Sequence, residues 1–459
     1  MSEFIAIRGS ILHFVDDPFY QDLSDCVRFI PDGLLILDNG KILAIGSYAE
    51  LKETYHQLTV THYPAQLIVP GFIDTHIHFP QTEMIAAYGE QLLSWLERYT
   101  FPTEQKFCDR TYALTVAHHF LDELLRHGTT TALVFTTVYP QSTDAFFEAA
   151  HSRNLRMIAG KVLMDRHAPA PLLDSPEAAY TESKALIEKW HGQGRLLYAV
   201  TPRFAITSTP EQLAVAGRLL QEFPGTYLHT HLAENEAEIA WTAELFPDCD
   251  GYLSVYEQAG LVRERSVFAH GIYLDERDRT TLSQCGCAIA HCPTSNLFLG
   301  SGLFDLSKAK DPPHPIKVGL GTDIGAGTSF SLLHTGGEAY KVAQLQNQLL
   351  TPFQALFLAT LGGARALSLD HQLGNFLPGK EADFIVLDPQ ATSTLHFRNQ
   401  SCLDRLQAAT STGEVANTIA TGLLEALQSL IFSLLILGDD RAIRATYIAG
   451  KLAYQREDL

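Results

Sequence analysis

Cysteine is sparse in this chain. Its 459 residues include seven cysteines, an odd number with no framework spacing. Cys285, Cys287 and Cys292 cluster but form no C-x-x-C pair. A disulfide-built fold does not suit so large a chain, and reduced thiols fit a cytoplasmic location. Basic charge is also in deficit. The 33 Lys and Arg stand against 52 Asp and Glu, a formal net charge of −19. That balance argues against a nucleic-acid backbone or an anionic membrane surface as the main partner. Long apolar runs are missing too. The most apolar stretch, LLEALQSLIFSLLILG (423–438), is short for a membrane span and carries Glu425 and Gln428, so it reads as a buried helix. The opening MSEFIAIRGSILHF alternates like a strand and has no basic segment before an apolar core, unlike a signal peptide. No G-x-G-x-x-G follows a first strand, no period repeats and no low-complexity tract occurs.

What is present is an ordinary globular composition, 46% apolar and 19% charged, with enough chain for one large domain and a smaller one. The two ends are β-rich. GLLILDNGKILAIGS holds two apolar runs around Asp38-Asn39-Gly40, a strong hairpin signal. Near the other end EADFIVLD reads as a strand, and ATYIAGKLAYQ as a hairpin turning at Gly450-Lys451. The middle alternates. Short β-type runs fall at Ile68–Ile77, Thr129–Phe135, Met157–Leu163, Leu196–Val200, Thr226–His231, Ser266–His270, Ala288–His291 and Ile316–Leu320. Helix-like segments separate most of them, and Ser175-Pro176 and Thr209-Pro210 pair a capping residue with Pro at the first helical position. The fold class is therefore α/β: a (β/α)8 TIM-type barrel over residues 68–376, plus a small composite β-sandwich from residues 1–67 and 377–459, the latter with an inserted helical segment. An open doubly wound sheet is the structural competitor.

In such a barrel the site lies at the C-terminal ends of the strands, and the unusual polar residues fall there. His76 and His78 end the first strand in VPGFIDTHIHFPQT, Arg203 follows the fourth, His231 ends the fifth, His270 the sixth, and Asp323 follows the eighth. Residues i and i+2 of a strand point the same way, so His76 and His78 can face one point. His231 could supply a third nitrogen and Asp323 a carboxylate. Such a set suits Zn2+ or Fe2+ better than Mg2+ or Ca2+ and leaves room for a water whose pKa the metal lowers. Glu234, three residues beyond His231, could shuttle protons, and His270 could orient the nucleophile. Each residue also has a plainer reading. A His-x-His on a strand is commonly structural, the GTD tripeptide is common turn chemistry, Glu234 could be a first-turn helix acid, and Arg203 a loop cation. His229 has the same spacing to His231, so either could be the ligand.

In order, PGFIDTHIH, HLAEN, AHG and GTD resemble the amidohydrolase superfamily. HFPQT, WLERYTFPTE, GKVLMDRHAP, TPRFAITST, CPTSNLFLGSG and LGDDRAI are similar, more closely, to the branch of it that deaminates guanine. The resemblance covers nearly the whole chain. It implies hydrolysis of guanine at C2 to xanthine and ammonia, with one Zn2+ per chain on His76, His78, His231 and Asp323. It further implies proton transfer by Glu234 and Asp323 beside His270, and reading of the purine edge by Gln81, Arg203 and Phe204. It implies a homodimer. Dinuclear members of the superfamily use a modified lysine on the fourth strand, and LLYAVTPRF has none. The alternative is a deaminase or dechlorinase of another amino-heterocycle (triazine, pterin or adenosine derivative), or a catalytically silent scaffold. Residues 410–430 carry no signature that assigns them a role.

Overall fold

The computed structural model describes residues 4–89, 91–412 and 421–457. Four strands open the chain: β1 (Phe4–Phe14), β2 (Val27–Asp38), β3 (Lys41–Ser47) and β4 (Val60–Pro70). Then come β5 (Phe72–His78), β6 (Thr129–Phe135), β7 (Arg156–Gly160), the two-residue β8 (Val162–Leu163), β9 (Leu197–Pro202), β10 (Tyr227–Leu232), β11 (Ser266–His270), β12 (Ala288–His291) and β13 (Lys317–Leu320). The chain ends with β14 (Phe384–Leu387), β15 (Ile443–Ile448) and β16 (Lys451–Gln455). Both termini build one seven-stranded sheet in the order β16-β15-β14-β4-β1-β2-β3, antiparallel except where β1 meets β4. The middle is a parallel barrel in the order β5-β6-β7-β9-β10-β11-β12-β13, with β8 paired to β9.

No strand ladder joins β13 back to β5, and one side-chain and one backbone hydrogen bond bridge that seam. Thr75 Oγ1 donates to the Leu320 carbonyl at 2.9 Å, and Asp323 N donates to the His76 carbonyl at 2.9 Å. The seam is thus stitched beside the residues of interest. Beneath them, Ile73, Leu133, Ile158, Ala199, Tyr227, Val267 and Ala288 share one buried cluster, so seven of the eight strands meet around a dry floor.

The apolar run expected as one strand over Ile68–Ile77 is two. Residues up to Pro70 pair with β14 in the terminal sheet, and Phe72 opens the barrel. Gly71 makes the handover. Its N–H donates to Asp383 on the sheet side, and a Cβ there would lie 2.2 Å from Thr130 Oγ1. Leu67–Pro70 and all of β5 are buried, so alternation could not mark the break. The first hairpin turns at Asn39-Gly40, both at positive φ as a two-residue turn demands. The last turns at Ala449-Gly450, one residue earlier than expected, with Ala449 at φ 47°. Alanine rarely takes that conformation. Here its N–H is held by Asp383 Oδ1 at 2.7 Å.

Ser175 and Thr209 cap the helices that start at Pro176 and Pro210, each accepting from the backbone three residues on. The apolar segment near 423–438 lies in the helix Thr421–Leu437. That helix buries Ala426, Leu427, Leu430, Ile431, Leu434 and Leu435, and it packs on the helices Ser393–Thr412 and Leu332–Leu345. Among the described residues no helix is long and apolar enough to cross a membrane. Residues 413–420, within the segment of undecided role, lie outside the described residues.

Candidate active site

The ends of β5, β10 and β11 and the loop after β13 converge, and their polar residues meet. His76 Nε2 lies 3.2 Å from His78 Nε2 and 3.2 Å from Asp323 Oδ1, which is 3.3 Å from His78 Nε2. His76, His78 and His231 present donor atoms within 4.8 Å of one another, and so do His76, His270 and Asp323. His270 and Asp323 hold left-handed backbone conformations, φ 70° and 51°. These are uncommon for residues with a side chain and concentrate at functional sites.

The outer ring nitrogens of His76, His231 and His270 are already engaged, while that of His78 has no partner among the described residues. His231 Nδ1 donates to the Arg203 carbonyl at 2.7 Å, because a carbonyl only accepts. His270 Nδ1 contacts Asn296 Oδ1 at 2.8 Å, and His76 Nδ1 contacts His229 Nε2 at 2.7 Å. These bonds turn the Nε2 atoms of the three rings toward the common point. Burial holds the imidazoles of His76, His78 and His231 well below their usual pKa. Neutral nitrogens and a carboxylate oxygen packed this closely present lone pairs to each other. A divalent cation among them resolves that conflict, and N/O ligation of this kind suits zinc or iron. His229 belongs to neither trio; it bonds His76 from behind.

Glu234 sits just before the helix Glu236–Leu245, whose cap is Asn235. It is therefore not a first-turn acid; Glu236 and Glu238 occupy that turn. Its Oε1 accepts from Ser301 Oγ at 3.0 Å, and its Oε2 lies 3.4 Å from His270 Nε2. Burial pushes its carboxyl up to about 7, against the opposing pull of His270. Burial resists a charge on His270, yet Glu234 and Asp323 outweigh it and raise that imidazole. Asp74, buried beneath the cluster, accepts from Thr322 N and His76 N, both at 3.1 Å, and so ties the Asp323 loop to β5.

One cavity touches His78, His231, Glu234, His270 and Asp323 on one side and Gln81, Arg203 and Phe204 on the other. Trp95, Leu92 and Leu299 add apolar wall. Arg203 is no surface cation: it is buried, and Nη1 donates to both oxygens of the buried Glu104, at 3.0 and 2.9 Å. Glu104, Asn296, Ser301 and Asp74 are parts that sequence reading left without a role. All four lie within motifs that the sequence displays, PGFIDTHIH, WLERYTFPTE and CPTSNLFLGSG.

The amidohydrolase family model matches residues 67–424. The chain is 51% identical over 458 residues to the guanine deaminase of Escherichia coli K12, with 98% of each covered. It is similar to the crystal structure of guanine deaminase from Bradyrhizobium japonicum, at 40% identity and TM-score 0.93 over 99% of this chain and 100% of that one. It is also similar to the guanine deaminase of C. acetobutylicum with guanine bound in the active site, at 25% identity and TM-score 0.84 over 98% of this chain and 100% of that one. A match over most of the chain, with relatives that share its full length, makes this chain a member of the amidohydrolase family.

Proposed function

We propose that this chain hydrolyses guanine at C2 to give xanthine and ammonia. One observation carries the reading. A single cavity joins the His and carboxylate cluster to Arg203, Gln81 and Phe204, in a chain half identical to an E. coli guanine deaminase. His76, His78, His231 and Asp323 would hold one Zn2+, which supplies the Lewis acidity that makes water nucleophilic near neutral pH.

The chain's own residues do the rest. The Arg203 fork and the Gln81 amide match the carbonyl and ring nitrogens of guanine, and Phe204 flanks the ring. Their position across the cavity aims C2 at the cluster. Attack by water forms a C2–O bond and moves an electron pair onto the neighbouring ring nitrogen. Glu234, with a carboxyl poised near 7, takes a proton from the water and gives it to that nitrogen. Asp323 passes the second proton to the amino group. The C2–N bond then breaks, ammonia leaves, and C2 keeps the oxygen as a carbonyl. His270, held by Asn296, stands beside both carboxylates and steadies the charge that develops.

The test is ammonia release from guanine, adenine, a pterin and a triazine, with and without a chelator. Guanine should give xanthine and ammonia in equal amounts, chelation should stop it, and zinc should restore it. Turnover of another heterocycle with guanine inert would overturn the reading.

A further inference from the structure

The buried partner of Arg203 has no counterpart in the reaction just described. Glu104 lies at the start of the substrate wall, in the short helix Phe101–Glu104, with no exposed surface. Both its oxygens accept from Arg203 Nη1, and Oε1 lies 3.4 Å from Gln81 Nε2. The Phe101 ring, 5.7 Å from the Arg203 guanidinium, closes another side. A lone buried guanidinium would make this wall an anion site. Paired with a buried carboxylate it carries no net charge, yet still presents N–H donors.

We propose that Glu104 is a positioning residue that sets the charge class of the ligand: it makes the Arg203 wall select neutral heterocycles and reject anionic ones. The inference rests on the guanine reading, since it concerns the same pocket. It has a direct consequence for that reaction, because xanthine loses a proton more readily than guanine does. The ionised product is then repelled from the wall that held the neutral substrate.

Binding tests this without turnover, so the result stands apart from the ammonia assay. The probes are xanthine and hypoxanthine, titrated against the zinc-loaded protein across the pH range in which xanthine ionises. Glu234, His270 and Asp323 also face the cavity, and hypoxanthine, neutral over that range, reports their titration. In the wild type, xanthine affinity should fall with ionisation while hypoxanthine affinity tracks only the enzyme. In Glu104→Gln the preference should shift toward the xanthine anion by at least about tenfold. Glu104→Asp, which keeps the charge, should retain the wild-type preference. A folded Glu104→Gln with an unchanged ratio of the two affinities overturns the inference. So does a wild type that binds ionised xanthine as well as the neutral form, which decides the matter even if the amide variant does not fold. Guanine left unhydrolysed by the wild type would instead overturn the parent reading.

Discussion

At the residue scale, the site depends on who faces whom. Glu234 reaches both the cavity and His270, and its Ser301 bond holds the carboxyl without consuming both oxygens. Glu234→Gln keeps the shape and the Ser301 contact but cannot carry a proton. Its kcat should fall by about 10²- to 10⁴-fold with KM and metal content near wild type. A fall confined to KM would remove Glu234 from proton transfer. His229 makes a different case. Its Nε2 meets His76 Nδ1 at 2.7 Å, a contact that would orient the proposed ligand His76 rather than bind metal itself. His229→Ala should weaken zinc binding by about 10- to 100-fold, read by competition with a chelator. Undiminished affinity would show that His76 needs no such support. Strand parity brought His76 and His78 to notice, and strand-end position brought His231, His270 and Asp323. Parity could not separate His229 from His231, since both point the same way. Only the neighbour behind His76 does that. Glu104 was invisible for a similar reason: its partners Arg203 and Gln81 are distant in sequence, and nothing local marks a buried carboxylate.

At the scale of elements, the sequence was most legible where local chemistry is strong. Capping residues followed by Pro placed two helices, and Asn39-Gly40 placed a turn. It was least legible where tertiary contact decides. The break at Gly71 and the turn at Ala449 both depend on hydrogen bonds that their N–H groups donate to Asp383, far along the chain. Gly160 shows the same dependence at the end of β7. A Cβ there would lie 1.6 Å from the Ala199 carbonyl oxygen of β9, a backbone atom fixed by the ladder. β9 must come this close because it pairs with β7 below the Lys161 break and with β8 above it. Gly160→Ala should destabilise the fold by about 1–3 kcal/mol, seen as a lower midpoint in denaturant with an unchanged slope. An unaltered midpoint would mean that the two strands can separate freely at this point.

At the scale of the whole molecule, the terminal sheet and the barrel are locked together by buried polar groups, and their ionisation couples pH to stability. Arg195, on the barrel side, pairs with Glu381 and Asp383, which lead into β14. His13 of β1 is buried with Nδ1 unpaired and its ring edge-on to Phe376 at 5.5 Å. Burial, with Arg28 and Lys380 adding to it, lowers its imidazole from the ordinary 6.5 to about 4. The sign follows from which state binds the proton. Below about pH 6.5 the unfolded chain protonates His13 and the folded chain does not, so stability falls as pH drops. The loss levels off below about pH 4, where both states are protonated, and amounts to about 3 kcal/mol. His13→Phe removes the titration and keeps an aromatic ring against Phe376. Denaturant unfolding of both proteins from pH 7 to 4 should therefore show the wild type losing up to about 3 kcal/mol more than the variant, with the other ionisations cancelling in the difference. Parallel curves over that window would mean that His13 is hydrated in the folded state, and that the sheet face it lies in opens more readily than its burial indicates.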